Sequence, residues 1–240
     1  MCGRYTLSPK TAVLEDRFNA QITQGGYTPT YNAAPSQGLS VILNEDPGSI
    51  VRADWGFVPQ WADRGSGVKA LINARGESVA DKPFFRSAFK SHRCLVLADG
   101  FYEWWRVSKG KRPYRITLRS KEPFAFAGIW SRVHDVRGKP HSTFAIITTT
   151  ANELVAKIHE RMPVILPPED EEDWLNPQLG LDEAKAMLSP YPVERMVAYE
   201  VSPMVNSPKY NEEDLVWPVN GDSAGLKITK PVSLKSRGQE

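Results

Sequence analysis

Cys2 is the first residue whose type and place could do chemistry. Aminopeptidases remove an initiating methionine when the next side chain is small, and cysteine qualifies. The mature chain then begins with an amine and a thiol on adjacent carbons, a 1,2-aminothiol. The amine can condense with an aldehyde to give an imine. The thiol can then add to the same carbon and close a five-membered thiazolidine. An α-amine titrates near ~7.7–8, so a useful fraction is neutral at physiological pH, whereas a lysine amine at ~10.4 is almost wholly protonated. The plain alternative is an ordinary small residue near a terminus, and a cysteine at position 2 decides nothing alone.

Three other groups could serve such chemistry. In Asp99-Gly100-Phe101-Tyr102-Glu103-Trp104-Trp105 a carboxylate lies among bulky aromatics. Desolvation there raises its pKa and poises it for proton transfer near neutrality. Adjacent tryptophans are also suited to stacking on bases. The alternative is a strand edge with an exposed Glu. In His159-Glu160-Arg161-Met162-Pro163, His159 is expected in the last turn of a helix over 153–160 that Pro163 ends. There the helix dipole favours its protonated form, and Arg161 beside it suits a phosphate. Capping of the helix by His and Arg is the competing explanation. In Asn73-Ala74-Arg75-Gly76-Glu77-Ser78, Asn73 could orient a carbonyl and Arg75 could fork a phosphate, or the segment is a turn with a surface ion pair. Asn32-Ala33-Ala34-Pro35 is a rigid apolar loop tip that either wedges beside a base or only turns the chain. The four histidines have no ligand-like spacing with each other or with the two cysteines, so neither a metal nor another cofactor is expected.

These groups need elements to hold them. Residues 11–20 read as a short helix. Runs rich in branched and aromatic residues follow at 40–44, 49–58, 68–73, 94–105, 114–119, 124–130, 143–150 and 193–202, bounded by Gly, Pro, Asn and Asp. Pro83 begins a helix over FFRSAFK, Asn152 is a natural N-cap for ELVAKIHE, and Pro168 with its acids begins another helix. Residues 181–189 form a further one, stopped by Pro190. Strands outnumber helices and do not alternate with them. The expected fold is α+β: a single domain over 1–220, built on a mostly antiparallel, barrel-like sheet flanked by short helices. Residues 221–240 read as a polar, flexible tail. No Gly-rich loop follows a strand, which excludes a Rossmann or P-loop reading.

Composition agrees. The 240 residues are 41% hydrophobic and 24% charged, as in a soluble globular protein. No apolar run reaches the ~18–20 residues of a membrane helix, and no signal peptide opens the chain. Two cysteines exclude a disulfide scaffold and fit a reducing cytosol. Residues 1–120 carry 17 Lys+Arg against 10 Asp+Glu, and residues 82–119 hold ten basic residues and two acids. That stretch is compatible with a polyanion on one face, although charge alone favours a merely solvated surface.

Taken together, MCGRY at the start, NAAP at 32–35, Trp55-Gly56 with Pro59 and Trp61, NARGES at 73–78, RCLVLADGFYEW at 93–104, HERMPVIL at 159–166 and SPMVN at 202–206 closely resemble the SRAP (SOS response-associated peptidase) family, whose members process abasic sites in DNA. The motifs span nearly the whole chain in one order. Leu97 stands where many members have proline and Ser78 where threonine is common, and neither change removes a reactive group. The resemblance implies that Cys2, exposed by loss of Met1, attacks the ring-opened aldehyde of an abasic site in single-stranded DNA and forms a thiazolidine crosslink. It assigns Asn73, Glu103 and His159 to the catalytic site: Glu103 managing protons on amine and imine, His159 promoting ring opening and crosslink reversal, Asn73 holding the amine or sugar oxygen. It assigns Arg4, Arg75 and Arg161 to phosphates, with Trp61, Trp104 and Pro35 shaping the DNA path and Thr148 in the phosphate cradle. It also implies lyase activity by β-elimination from the imine and a peptidase activity confined to residues before Cys2. The implied partner is single-stranded DNA bearing abasic sites, bound by a monomer in the cytoplasm (at the nucleoid in a bacterium). The sequence carries no signal for a protein partner, a replication-associated one included.

Two rivals stand beside this. Met-Cys-Gly also opens amidohydrolases whose N-terminal cysteine attacks an amide, its own amine acting as base. A non-covalent single-strand-binding module would have no use for Cys2 at the terminus.

Overall fold

The computed structural model of the chain describes residues 2–23, 27–62, 67–108, 110–134 and 138–219; the tail expected at 221–240 lies outside them. Two sheets carry the fold. The first is antiparallel throughout, in the order β14 (Met196–Glu200), β9 (Gly110–Leu118), β8 (Gly100–Val107), β1 (Tyr5–Leu7) and β3 (Thr30–Ala33). The second runs β12 (Arg161–Pro163), β11 (Pro140–Thr150), β10 (Phe124–His134), β7 (Arg93–Ala98), β4 (Gly38–Leu43), β5 (Ser49–Trp55) and β2 (Gln21–Ile22). On this sheet β13 (Ile165–Leu166) pairs with β10, and β6 (Asn73–Arg75) pairs in parallel with β11. A parallel join between β11 and β5 closes β4, β7, β10, β11 and β5 into a five-strand barrel. The α+β, barrel-like expectation therefore holds.

The apolar run at 94–98 is continuous because both faces of β7 are covered. Cys94, Val96 and Ala98 join a core shared with the first sheet, where Tyr5, Phe101, Tyr114, Ile116 and Ala198 meet Val41, Trp55, Phe126, Phe144 and Ile146. Tyr5 lies 5.2 Å from Trp55 and 5.8 Å edge-on from Phe126 between ring centroids. Leu95 and Leu97 face the other way, under α1 (Thr11–Phe18), α2 (Arg86–Ser91), α3 (Pro168–Leu175) and α4 (Leu181–Ala186), which contribute Leu14, Phe89, Trp174 and Ala184. Arg93 is wholly buried yet fully bonded: its guanidinium donates to the carbonyls of Phe89, Lys90, Trp174 and Asn176, capping the ends of α2 and α3. None of the described helices is long and apolar enough to cross a membrane.

Several elements differ from expectation: the run at 94–105 divides at Asp99 into β7 and β8 in different sheets, the helix expected from Pro83 begins at Arg86, and the one expected over 181–189 ends at Ala186. The run at 68–73 yields a strand only at Asn73–Arg75, where β11 offers a partner; before it, Leu71 makes a single bridge to Phe57. The helix over 153–160 does not form. Asn152 does cap the segment, its Oδ1 accepting from the Val155 amide at 3.0 Å, but only a 3-10 turn over Val155–Lys157 follows. Met162 and Pro163 belong to β12, whose pairing with β11 pulls the chain out of the helical path.

Candidate active site

Strand register brings Cys2 to Glu103. On β1 and β8, Tyr5 faces Phe101 and Thr6 faces Gly100. The Tyr102 amide then donates to the Arg4 carbonyl at 3.0 Å, carrying the pairing back along the chain toward Cys2. A Cβ at Gly100 would come within 2.8 Å of the Arg115 guanidinium and force it to shift. Arg115 in turn grips the Asp99 carbonyl, Thr6 Oγ1 and Tyr199, so the first residue of the DGFYEW run ties strands together. Strand alternation divides the aromatics around Glu103. Phe101 and Trp105 pack with the core that holds Cys2, while Tyr102 and Trp104 lie on the opposite face with Val201, Val205 and Leu215. The carboxylate is therefore not ringed by all four aromatics; Tyr114, directly across on β9, is the neighbour that sequence reading missed.

Glu103 is 3% exposed, and burial pushes its carboxyl up to about 7 against the pull of the chain's amino-terminal charge. Burial and the Glu103 charge push the Cys2 thiol far above its ordinary range. The same amino-terminal charge acts on His159, so Cys2, Glu103 and His159 all lie within its influence.

Asn73 enters from the second sheet. It opens β6, opposite Ile146 on β11, and its Nδ2 donates to the Cys2 carbonyl at 2.9 Å. Its Oδ1 is shielded from solvent and has no hydrogen-bond partner among the described residues. An unmet acceptor beside Cys2 suits an ammonium or a hydroxyl.

His159 follows the 3-10 turn, with no helix end behind it. Its pKa is lowered by burial first and then by the amino-terminal charge, which corrects the expectation of a dipole-favoured imidazolium. Nδ1 lies 3.0 Å from the Arg161 amide, which donates to it, and 3.3 Å from the Arg161 carbonyl, so the Arg161 backbone holds the ring in place. Arg161, Thr148 and Arg75 converge at the end of β11, where Thr148 pairs with Arg75 and Pro163. Thr148 is buried, its Oγ1 3.4 Å from the Ala74 carbonyl, and Arg75 is exposed. Glu77 of NARGES, a residue given no role above, forms an ion pair with Arg161.

The remaining residues lie on two other surfaces. Arg4 spends its guanidinium on Asn32 Oδ1 and the Val205 carbonyl, both at 2.7 Å, and on Asn206. Asn32 is buried and donates to the carbonyls of Val205, Ser207 and Tyr210, so the first residue of NAAP anchors the 203–210 segment. Pro35 projects beyond it, half-buried, before Ser36 at φ 73°. Trp104 donates from Nε1 to Asn206 Oδ1 at 2.7 Å. Trp61 is 66% exposed and meets Phe84 edge-on; that ring packs on the helix-bearing core, not on the core that holds Cys2. Asn206 and Glu77 were legible as members of SPMVN and NARGES, but nothing in their types signalled their partners. Of the basic stretch 82–119, Arg93 and Arg115 are used internally and Arg112 pairs with Glu200.

Comparison with known proteins points one way. The chain is 44% identical over 222 residues to "Abasic site processing protein YoqW" of Bacillus subtilis, covering 90% of this chain and 99% of that one. It is 29% identical to "Abasic site processing protein YedK" of Escherichia coli, over 91% of this chain and all of that one. It is 30% identical to "Abasic site processing protein HMCES" of Gallus gallus, over 91% of this chain and 78% of that one. A crystal structure of a protein from Bacteroides thetaiotaomicron superposes with a TM-score of 0.83 at 30% identity, covering 90% of this chain and 99% of that one. The family model "SOS response associated peptidase (SRAP)" matches residues 1–208, and the chain belongs to that family.

Proposed function

We propose that this protein captures abasic sites in single-stranded DNA covalently, through Cys2 once Met1 is gone. The observation that carries the reading is the placement of Cys2 between the Asn73 amide, 2.9 Å from its carbonyl, and a Glu103 carboxyl held near neutrality by burial. The names of the relatives supply the substrate class.

The steps balance on these residues. The Cys2 amine adds to the aldehyde carbon to give a carbinolamine. Protonated Glu103 gives its proton to the hydroxyl, which leaves as water, and an iminium forms. The thiol gives its proton to the Glu103 carboxylate, and sulfur adds to the iminium carbon. The products are a thiazolidine, one water and a protonated Glu103 ready for another turn. A buried thiol with a raised pKa is a poor first nucleophile, which favours attack by the amine. It also disfavours the amidohydrolase alternative, where sulfur must attack first. His159 opens the closed sugar by donating a proton to the ring oxygen and assists reversal. The iminium also acidifies the neighbouring carbon, which gives β-elimination and a lyase activity. Arg75 and Arg161 hold phosphates beside Thr148. Arg4 holds the Val205–Asn206 backbone, to which Trp104 is bonded, and Trp104 and Pro35 border the DNA path, with Trp61 on a separate surface. Peptidase action is limited to freeing Cys2.

Crosslinking to a strand with one abasic site tests this. Cys2→Ala abolishes a heat-stable adduct, and Cys2→Ser retains at most a labile one, because oxygen closes a weaker ring. A Cys2→Ala protein that crosslinks like the parent contradicts the proposal.

A further inference from the structure

Arg161 meets solvent with both terminal nitrogens of its guanidinium already occupied. Nη1 and Nη2 fork onto the two carboxylate oxygens of Glu77, with Nη2 to Oε2 at 2.9 Å. Nη2 also donates to the Thr148 carbonyl at 2.7 Å and to Thr148 Oγ1 at 3.2 Å. The two partners are unequal: the Arg161 side chain is 12% exposed and that of Glu77 52%. Arg161 is thus fixed from behind by β11, and Glu77 closes it from the solvent side. Glu77 lies in a single 3-10 turn over Gly76–Ser78, so its side chain can swing without disturbing a strand. Its carboxyl is held below the ordinary range, chiefly by the Arg161 hydrogen bond and also by the charges of Arg161 and Arg75. It is therefore ionised at neutral pH and lies within reach of both cations.

A carboxylate offers two oxygens that share one negative charge, and a phosphodiester offers the same fork to a guanidinium. We propose that Glu77 is a built-in stand-in for a DNA phosphate, occupying Arg161 in the free protein and yielding it when a strand binds. This rests on the reading that Arg161 holds a phosphate. The device lowers affinity for intact strands, because the phosphate that Arg161 takes must first displace an intramolecular anion. It leaves the covalent step at Cys2 untouched. Selectivity then shifts from the phosphate backbone, which every strand has, to the aldehyde, which only an abasic site has.

The test is the affinity of an undamaged single-stranded oligonucleotide at fixed moderate ionic strength, with its salt dependence, for the parent, Glu77→Gln, Arg161→Ala and the double variant. Glu77→Gln keeps shape and polarity. It should tighten binding on the order of fivefold, the size of a partly exposed ion pair. That gain should vanish in the Arg161→Ala background. Unchanged or weaker binding by Glu77→Gln, while Arg161→Ala still lowers affinity and salt slope, overturns the stand-in and makes Glu77 a permanent anchor. A gain that survives Arg161→Ala also overturns it, as a general charge effect. Parent-like affinity and slope in Arg161→Ala removes the phosphate reading of Arg161 itself.

Discussion

The side-chain amide of Asn73 donates to the carbonyl of Cys2 at 2.9 Å, joining a short strand on the barrel to the end of the chain. The bond fixes the peptide that follows Cys2 and leaves Oδ1 of the same side chain buried with no hydrogen-bond partner among the described residues. Asn73→Ala removes both functions. Misplacing a reacting group by an ångström costs as much as ~10²-fold, so capture should slow toward that extent while binding of intact strands persists. Single-turnover crosslinking rates beside equilibrium binding check this; equal losses in both would make Asn73 a binding residue only.

Glu103 makes a pH-dependent stability prediction whose sign follows from its pKa. The folded value, about 7, lies above the ordinary carboxylate value of 4.5. The folded chain thus holds a proton that the unfolded chain has lost across that window. Its contribution to stability is complete below about pH 4.5 and falls as pH rises to 7. Glu103→Gln stays neutral and escapes that loss. It should raise stability on the order of 3 kcal/mol at pH 8, a Tm gain of several degrees, and change little at pH 4. The same variant should slow capture and lyase chemistry together, by up to ~10²–10⁴-fold. Thermal melts at the two pH values decide the first claim, and a Tm that falls at pH 8 contradicts it.

His159 should act only where a sugar ring must open. His159→Ala is expected to slow crosslinking to abasic DNA and its reversal, and to spare reaction with a small open-chain aldehyde. Two rate measurements on the one variant suffice. Equal slowing on both substrates would reassign His159 to the amine or imine steps.

Arginines 4 and 75 should separate by salt dependence. Arg75 is exposed, and Arg75→Ala should reduce the single-strand salt slope by about 0.7 with no loss of stability. Arg4 gives its guanidinium to Asn32, Val205 and Asn206, so Arg4→Ala should lower Tm as well as binding. Trp104→Ala should cost ~1–3 kcal/mol of binding if a base stacks on it. Parent-like salt slopes in both arginine variants would place the DNA on another face.

Much of this could be read from residue types, and the rest could not, for physical reasons. The Asn152 cap and the Pro168 helix start are local chemistry, and both formed. The run at 94–105 was legible as strand, but its break at Asp99 into β7 and β8 on different sheets was not. The fate of 153–160 was not local. A good cap and helical spacing lost to β12, which pairs with a strand at 140–150. The aromatics beside Glu103 were legible as neighbours in sequence, but only a committed period of two separates Phe101 and Trp105 from Tyr102 and Trp104. The chemistry open to Cys2 could be proposed from its position, which decided nothing alone. Its bond from Asn73, 71 residues away, depends on the parallel pairing of β6 with β11, which no spacing encodes.

The most direct measurement is intact mass of the purified protein before and after incubation with single-stranded DNA bearing one abasic site. Before incubation, the mass should be that of the chain without Met1. Afterwards it should rise by the mass of the strand less one water, and the new species should survive heating. A chain that retains Met1 and still forms the adduct, or a Met1-free chain that binds the strand and gains no mass, would contradict the claim that Cys2 captures the aldehyde.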